Sequence, residues 1–185
     1  MSEPRRFAAD RAAPRSRTVY AAAHVVADPA VDNGVGAPAR LDWEATLEFR
    51  RHLWSHGLGV AEAMDTAQRG MGLDWPTSLE LIRRSLEAAR DFPGALIGCG
   101  AGTDQLAAIG ASLDDVVRAY EEQCAAIEKL GGRIVLMASR ALVKAARSGD
   151  DYAKVYGRIL SQVKEPIIIH WLGEMFDPAL EGYWG

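Results

Sequence analysis

At 185 residues the chain is sized for one domain, and its net charge of −4 gives no overall field that would draw it to nucleic acid or an anionic membrane. Two cysteines, Cys99 and Cys124, are too few and too irregularly placed for a disulfide framework or a zinc site, which points to a reducing, cytoplasmic setting. No stretch is long and apolar enough to cross a bilayer, and no basic patch with interleaved aromatics suggests nucleic-acid binding.

Residues 1–17 are Arg-rich and lack the apolar centre of a secretory signal, so a solvated tail is expected there, followed by one domain over 18–185. The first strand is expected over Thr18–Val26 and ends in a loop of turn formers, Asp28–Arg40. A helix then begins near Leu41 with Asp42 as its cap. Trp43, Leu47, Leu53 and Trp54 give it an apolar face, and Gly57 ends it. A second strand, Leu58–Met64, leads through the loop 65–75 to a helix opened by Pro76, with Leu79, Ile82, Leu86 and Ala89 as its buried stripe.

A third strand, Ala95–Cys99, runs into a Gly-rich turn. Ser112 and Asp115 form a capping box for a helix lined by Leu113, Val116, Tyr120, Cys124 and Ile127. Gly131-Gly132 close that helix. The fourth strand is Arg133–Met137, and its helix carries Tyr152, Val155, Ile159 and Val163. Pro166 leads into a fifth strand, Ile167–Trp171; no strong helical period follows over Glu174–Gly185.

Short strands alternating with helices define an α/β fold with right-handed crossovers, and the apolar fourth and fifth strands suit a parallel sheet covered by helices. Two architectures fit. One is part of a (β/α)₈ barrel, which in full needs roughly 250 residues. The other is a complete five-stranded doubly wound sheet. Periodicity alone does not separate them.

The order of the loops tips the balance toward the barrel, by resemblance. Asp65-Thr66-Ala67-Gln68-Arg69-Gly70 stands after the second strand where the dihydrodipicolinate synthase and N-acetylneuraminate lyase superfamily carries Gly-Thr-Thr-Gly-Glu. Gly98-Cys99-Gly100-Ala101-Gly102-Thr103 is similar to that superfamily's Gly-Thr-Gly-Ser turn. Pro166-Ile167-Ile168-Ile169-His170-Trp171 resembles its Pro-Ile-Ile-Leu-Tyr-Asn strand. The chain thus resembles an uncharacterised dihydrodipicolinate synthase-like branch over about Thr18–Gly173.

The resemblance implies a (β/α)₈ barrel and a class I aldolase or lyase, in which a lysine on the sixth strand forms a Schiff base with a small oxo acid or sugar-derived substrate. It also implies a homo-oligomer. Departures are visible. Ala67 replaces one of two carboxylate-holding threonines, leaving Thr66. Arg69 stands in place of Glu, Ser139-Arg140 falls where a catalytic tyrosine is expected, and His170-Trp171 replaces Tyr-Asn. The Schiff-base lysine would lie beyond Gly185. The chain is therefore expected to be the first half to two-thirds of a barrel, inactive by itself in Schiff-base chemistry.

Chemistry in such a barrel collects at the C-terminal ends of the strands. His170 is the candidate general acid or base, since imidazole titrates near working pH. Arg69 and Arg140 could hold a carboxylate or phosphate through forked hydrogen bonds, with Thr66 and Ser139 as further substrate-binding groups. No cofactor is expected: the Gly98–Thr103 run lacks the dinucleotide fingerprint, and no Walker lysine follows. His24, Glu62 and Asp65, with His170, carry donor atoms for a divalent cation, as in a sugar isomerase or epimerase barrel, but share no compact motif. Glu62 is notable because a carboxylate within an apolar strand needs a partner or a place at the barrel mouth. A non-catalytic α/β binding domain is the third reading.

Overall fold

Five strands form one wholly parallel sheet in the computed structural model, which describes residues 17–34, 39–67, 69–70 and 72–183. The expected tail lies outside the described residues apart from Arg17, as do Gln68, Trp184 and Gly185. The strands are β1 (Tyr20–Ala22), β2 (Gly59–Glu62), β3 (Ile97–Ala101), β4 (Arg133–Leu136) and β5 (Ile168–Ile169). Between them lie the helices α1 (Trp43–Ser55), α2 (Trp75–Arg90), α3 (Leu113–Lys129), α4 (Arg140–Ala145) and α5 (Gly149–Leu160).

The strand order is β1-β2-β3-β4-β5, with each strand paired to the one before it in sequence. A doubly wound sheet reverses its order at a switch point. This sheet never does, so the chain forms successive staves of a curled (β/α) barrel, a partial barrel of five strands.

Side-chain parity explains the curl. Val60, Ile97, Cys99, Ala101, Ile134 and Leu136 join the core packed beneath the helices, together with Leu81, Ile82, Val116, Tyr120, Ile127, Val155 and Ile159. The opposite face of β3 is bare glycine. A Cβ on Gly98 would lie 2.9 Å from Val135 Cγ2, and one on Gly100 would lie 2.6 Å from the Ala63 carbonyl oxygen. The concave face therefore has room for Tyr20, Val135, Met64 and Met137 only because β3 withholds its own side chains.

The caps agree with the sequence. Asp42 accepts from Ala45 N, Asp74 accepts from Thr77 N, and Ser112 with Asp115 makes a full capping box. Strand boundaries differ, for local reasons. The first strand stops well short of Val26 because Val26 N donates to Thr46 Oγ1 and Val26 O accepts from Asp42 N, committing that stretch to the start of α1. The second ends at Glu62 because Ala63 adopts a left-handed φ of 53°. The third extends through Gly100 and Ala101, residues expected in a turn.

Two helical readings also change. The buried stripe of α2 is Trp75, Ser78, Leu81, Ile82 and Ser85 rather than one centred on Leu79, Leu86 and Ala89. The single helix expected after the fourth strand is two, because Ser139 caps a short α4 before α5 begins. Beyond β5, Asp177 caps a 3-10 turn, Pro178–Leu180, and Tyr183 packs edge-on against Tyr152 at 5.2 Å.

Candidate active-site cleft

The segments that follow β2, β3, β4 and β5 converge on one solvent-open cleft. Its lining includes Asp65, Arg69, Thr103, Asp104, Arg140, His170 and Asp177. Apolar walls come from Leu106, Met137, Leu172 and Leu180. This is the end of the sheet at which barrel chemistry is built.

Arg69 enters from the turn after β2 and is buried. Its Nε donates to Asp104 Oδ1 at 3.0 Å, and Nη2 lies 2.9 Å from the same oxygen. Nη1 donates to the Ala63 and Gly100 carbonyls, and Nη2 also donates to Gln123 Oε1. The guanidinium lies 5.0 Å from the centre of the Trp75 ring. Burial lowers the Arg69 pKa against the opposing pull of Asp104, yet a guanidinium stays charged throughout the physiological range. Burial works to raise the Asp104 carboxyl, but Arg69 and Gln123 together hold it below the usual carboxylate range. The forked anion contact expected of Arg69 is thus already made, with the protein's own acceptors.

Gln123 completes this cluster from α3. Its Oε1 accepts from Gly102 N at 2.7 Å, and its Nε2 donates to Asp104 Oδ1 at 3.1 Å. It fixes the turn after β3 from behind. Sequence reasoning passed over it, although a glutamine between Tyr120 and Cys124 on the inward face of a helix is a readable signal.

Ser139 is buried rather than open to the cleft. Its hydroxyl accepts from Leu142 N at 3.0 Å and lies 2.6 Å from Thr103 Oγ1, tying the loops after β3 and β4 together. Tyr120 donates to Met137 O at 2.6 Å and steadies the same loop. Arg140, the next residue, is different. Its side chain is 40% exposed, and its Nε donates to Asp177 Oδ2 at 2.6 Å. His170 is half-buried just after β5; its backbone N donates to Leu136 O, and the residue lines the cleft.

Thr66 sits half-buried in the 3-10 turn Asp65–Ala67, beside the cleft-lining Asp65. Glu62 points away from the mouth. Its carboxylate takes a two-pronged contact from Arg50, Nε at 2.9 Å and Nη2 at 2.8 Å, and a hydrogen bond from Ser85 Oγ at 2.6 Å. Both partners of this pair are fully buried under α1 and α2. Of the two places its position allowed, Glu62 takes the partnered one. His24 is exposed, and its carbonyl accepts from Arg50. His24, Glu62, Asp65 and His170 are therefore not gathered at one point. Among the described residues no group of three or more His, Cys, Asp or Glu side chains is placed to hold a metal ion.

Other nucleophiles are equally telling. The four lysines, Lys129, Lys144, Lys154 and Lys164, are all exposed on helices or in the segment after α5, and none lines the cleft. Cys99 and Cys124 are buried free thiols. Burial raises both, Cys124 to about 12, so neither forms a ready thiolate.

The fold is that of a partial (β/α) barrel, and it is similar to solved structures of the dihydrodipicolinate synthase type. It is similar to dihydrodipicolinate synthase from Oceanobacillus iheyensis, with 13% identity and a TM-score of 0.56 over 83% of this chain and 44% of that one. It is also similar to YagE, a prophage protein of the dihydrodipicolinic acid synthase family from E. coli K12 solved in complex with pyruvate. There the identity is 14% and the TM-score 0.60, over 84% of this chain and 45% of that one. The 4-hydroxy-tetrahydrodipicolinate synthase of Methylacidiphilum fumariolicum SolV matches at 15% identity and a TM-score of 0.56, over 84% and 45%. The chain thus spans less than half the length of these structures. No curated protein matches the sequence. The chain belongs to the family described as "Protein of unknown function (DUF993)", whose model matches residues 1–185.

Proposed function

We propose that this chain builds the substrate-holding side of a class I aldolase- or lyase-type barrel acting on a small oxo acid or sugar-derived acid. Arg140 pairs with the substrate carboxylate, and His170 moves a proton at the reacting end. One observation carries this reading: a half-exposed guanidinium and an imidazole share one cleft at the C-terminal ends of parallel strands. Arg69 and Ser139 serve the site by holding its walls. The two buried free thiols fit a reducing, cytoplasmic setting.

The chemistry divides accordingly. The planar fork of Arg140 suits a carboxylate, and an imidazole lining the same cleft suits proton transfer. None of the four lysines stands in the cleft, so carbinolamine formation would need an amine from elsewhere in the assembled barrel. Calorimetric titration with pyruvate tests the binding half. Arg140→Met should weaken binding about tenfold, the loss expected when a charge-assisted hydrogen bond is removed. Unchanged affinity would dismiss Arg140 as the carboxylate ligand.

A further inference from the structure

Asp177 gives Arg140 a partner from within the chain. The Asp177 carboxylate divides its two oxygens: Oδ2 accepts from Arg140 Nε at 2.6 Å, and Oδ1 accepts from Ala179 N at 3.0 Å. One side chain therefore both caps the Pro178–Leu180 turn and neutralises the cleft's exposed guanidinium. The guanidinium is backed by Gly70, where a Cβ would lie 3.1 Å from Nη1 and where the backbone is left-handed at φ +72°.

The segment before Asp177 is held at Leu172, which packs against the core, and at buried Gly173, but the residues around them are open to solvent. Trp171, Met175 and Phe176 are 62%, 81% and 70% exposed, whereas Leu180 and Tyr183 beyond it are buried. Residues 174–177 are thus a strap, held at Gly173 before it and at Leu180 after it, and tied to Arg140 at the cleft by one carboxylate.

Resting on the proposed function above, we propose that Asp177 is an internal stand-in for the substrate, a carboxylate that an incoming carboxylate ligand replaces on Arg140, so that filling the cleft releases the strap. The exchange conserves charge, one carboxylate for another, and needs no movement of Arg140 against Gly70. The ligand class follows from the group displaced: a small carboxylic acid whose anionic end matches the planar fork.

The test uses the chain as it stands, with pyruvate and inorganic phosphate as probes. Asp177→Asn removes the internal competitor and should tighten pyruvate binding about two- to fivefold, the scale set by a partly exposed ion pair. In the unmodified chain, saturation with pyruvate should speed hydrogen exchange at the Phe176 and Asp177 amides, which bond back to Gly173 O within the strap; this measurement decides the matter even if the variant does not fold. Binding of equal or lower affinity in Asp177→Asn, or Phe176 and Asp177 amides unaffected by pyruvate, overturns the exchange while leaving the proposed function standing. Phosphate releasing the strap as readily as pyruvate overturns the assignment to carboxylates. Failure of both proteins to bind pyruvate removes the exchange and the proposed function together.

Discussion

The seam between β2 and β3 and the edge at β4 and β5 use the same pairing, arginine with carboxylate, to opposite ends. At the seam, Arg50 and Glu62 are fully buried, and Arg69 is walled in by Asp104, Gln123 and two carbonyls. At the edge, Arg140 is 40% exposed and holds Asp177 with one nitrogen. Residue type does not distinguish these arginines. Burial does: Arg69 is saturated by protein acceptors and belongs to the frame, whereas Arg140 lines the cleft and stays partly exposed.

The largest way to break this contrast is at Glu62. Glu62→Ala strands the Arg50 charge in the core and should lower unfolding free energy by about 3–5 kcal/mol, read from denaturant melts. Arg140→Met should cost at most about 1 kcal/mol in the same assay. Equal losses at the two sites would erase the distinction between frame and ligand site.

Gln123→Leu should fall next, at about 1–3 kcal/mol, since it leaves Gly102 N without its acceptor and removes one from Arg69. Asp104 adds a pH signature. Its folded pKa lies below the unfolded value, so its stabilisation is present above about pH 4 and is lost as pH falls through the folded value. The stability gap between the parent and Asp104→Asn should therefore narrow below about pH 4, measured as urea midpoints against pH. A gap that stays constant into acid would mean that Asp104 owes nothing to its charge.

The smallest effects belong to the edge. Ile168 and Ile169 are 49% and 53% exposed, and β5 pairs over two residues. Ile169→Lys should change stability by no more than about 0.5 kcal/mol while reducing self-association, followed by light scattering. Borohydride trapping with pyruvate should leave the mass of the chain unchanged, because its lysines stand outside the cleft. Stable labelling would overturn that placement.

Much of the frame was legible from the residues. The caps at Asp42 and Ser112, the stop at Gly57 and the strand-helix beat are local effects, decided by backbone groups within a few residues of one another. The loop order likewise pointed to the barrel and to the cleft with Arg140 and His170 at its rim. What could not be read locally is which side of a wall each polar group faces. Glu62, within the second strand, could have taken a partner or the mouth, and Arg69, in the loop after it, was expected to hold an anion from outside although its fork is taken by the protein. Their partners, Arg50, Ser85, Asp104 and Gln123, come from distant helices and loops.

Sequence by itself therefore determined the elements, their alternation and the end of the sheet where polar groups collect, since these follow from short-range hydrogen bonding and apolar spacing. Tertiary structure alone decided the strand order, the bare glycine face of β3 that lets the sheet curl, and the division of arginines into buried and available. Those depend on contacts between residues tens of positions apart, where the desolvation of a charge is set by what packs over it.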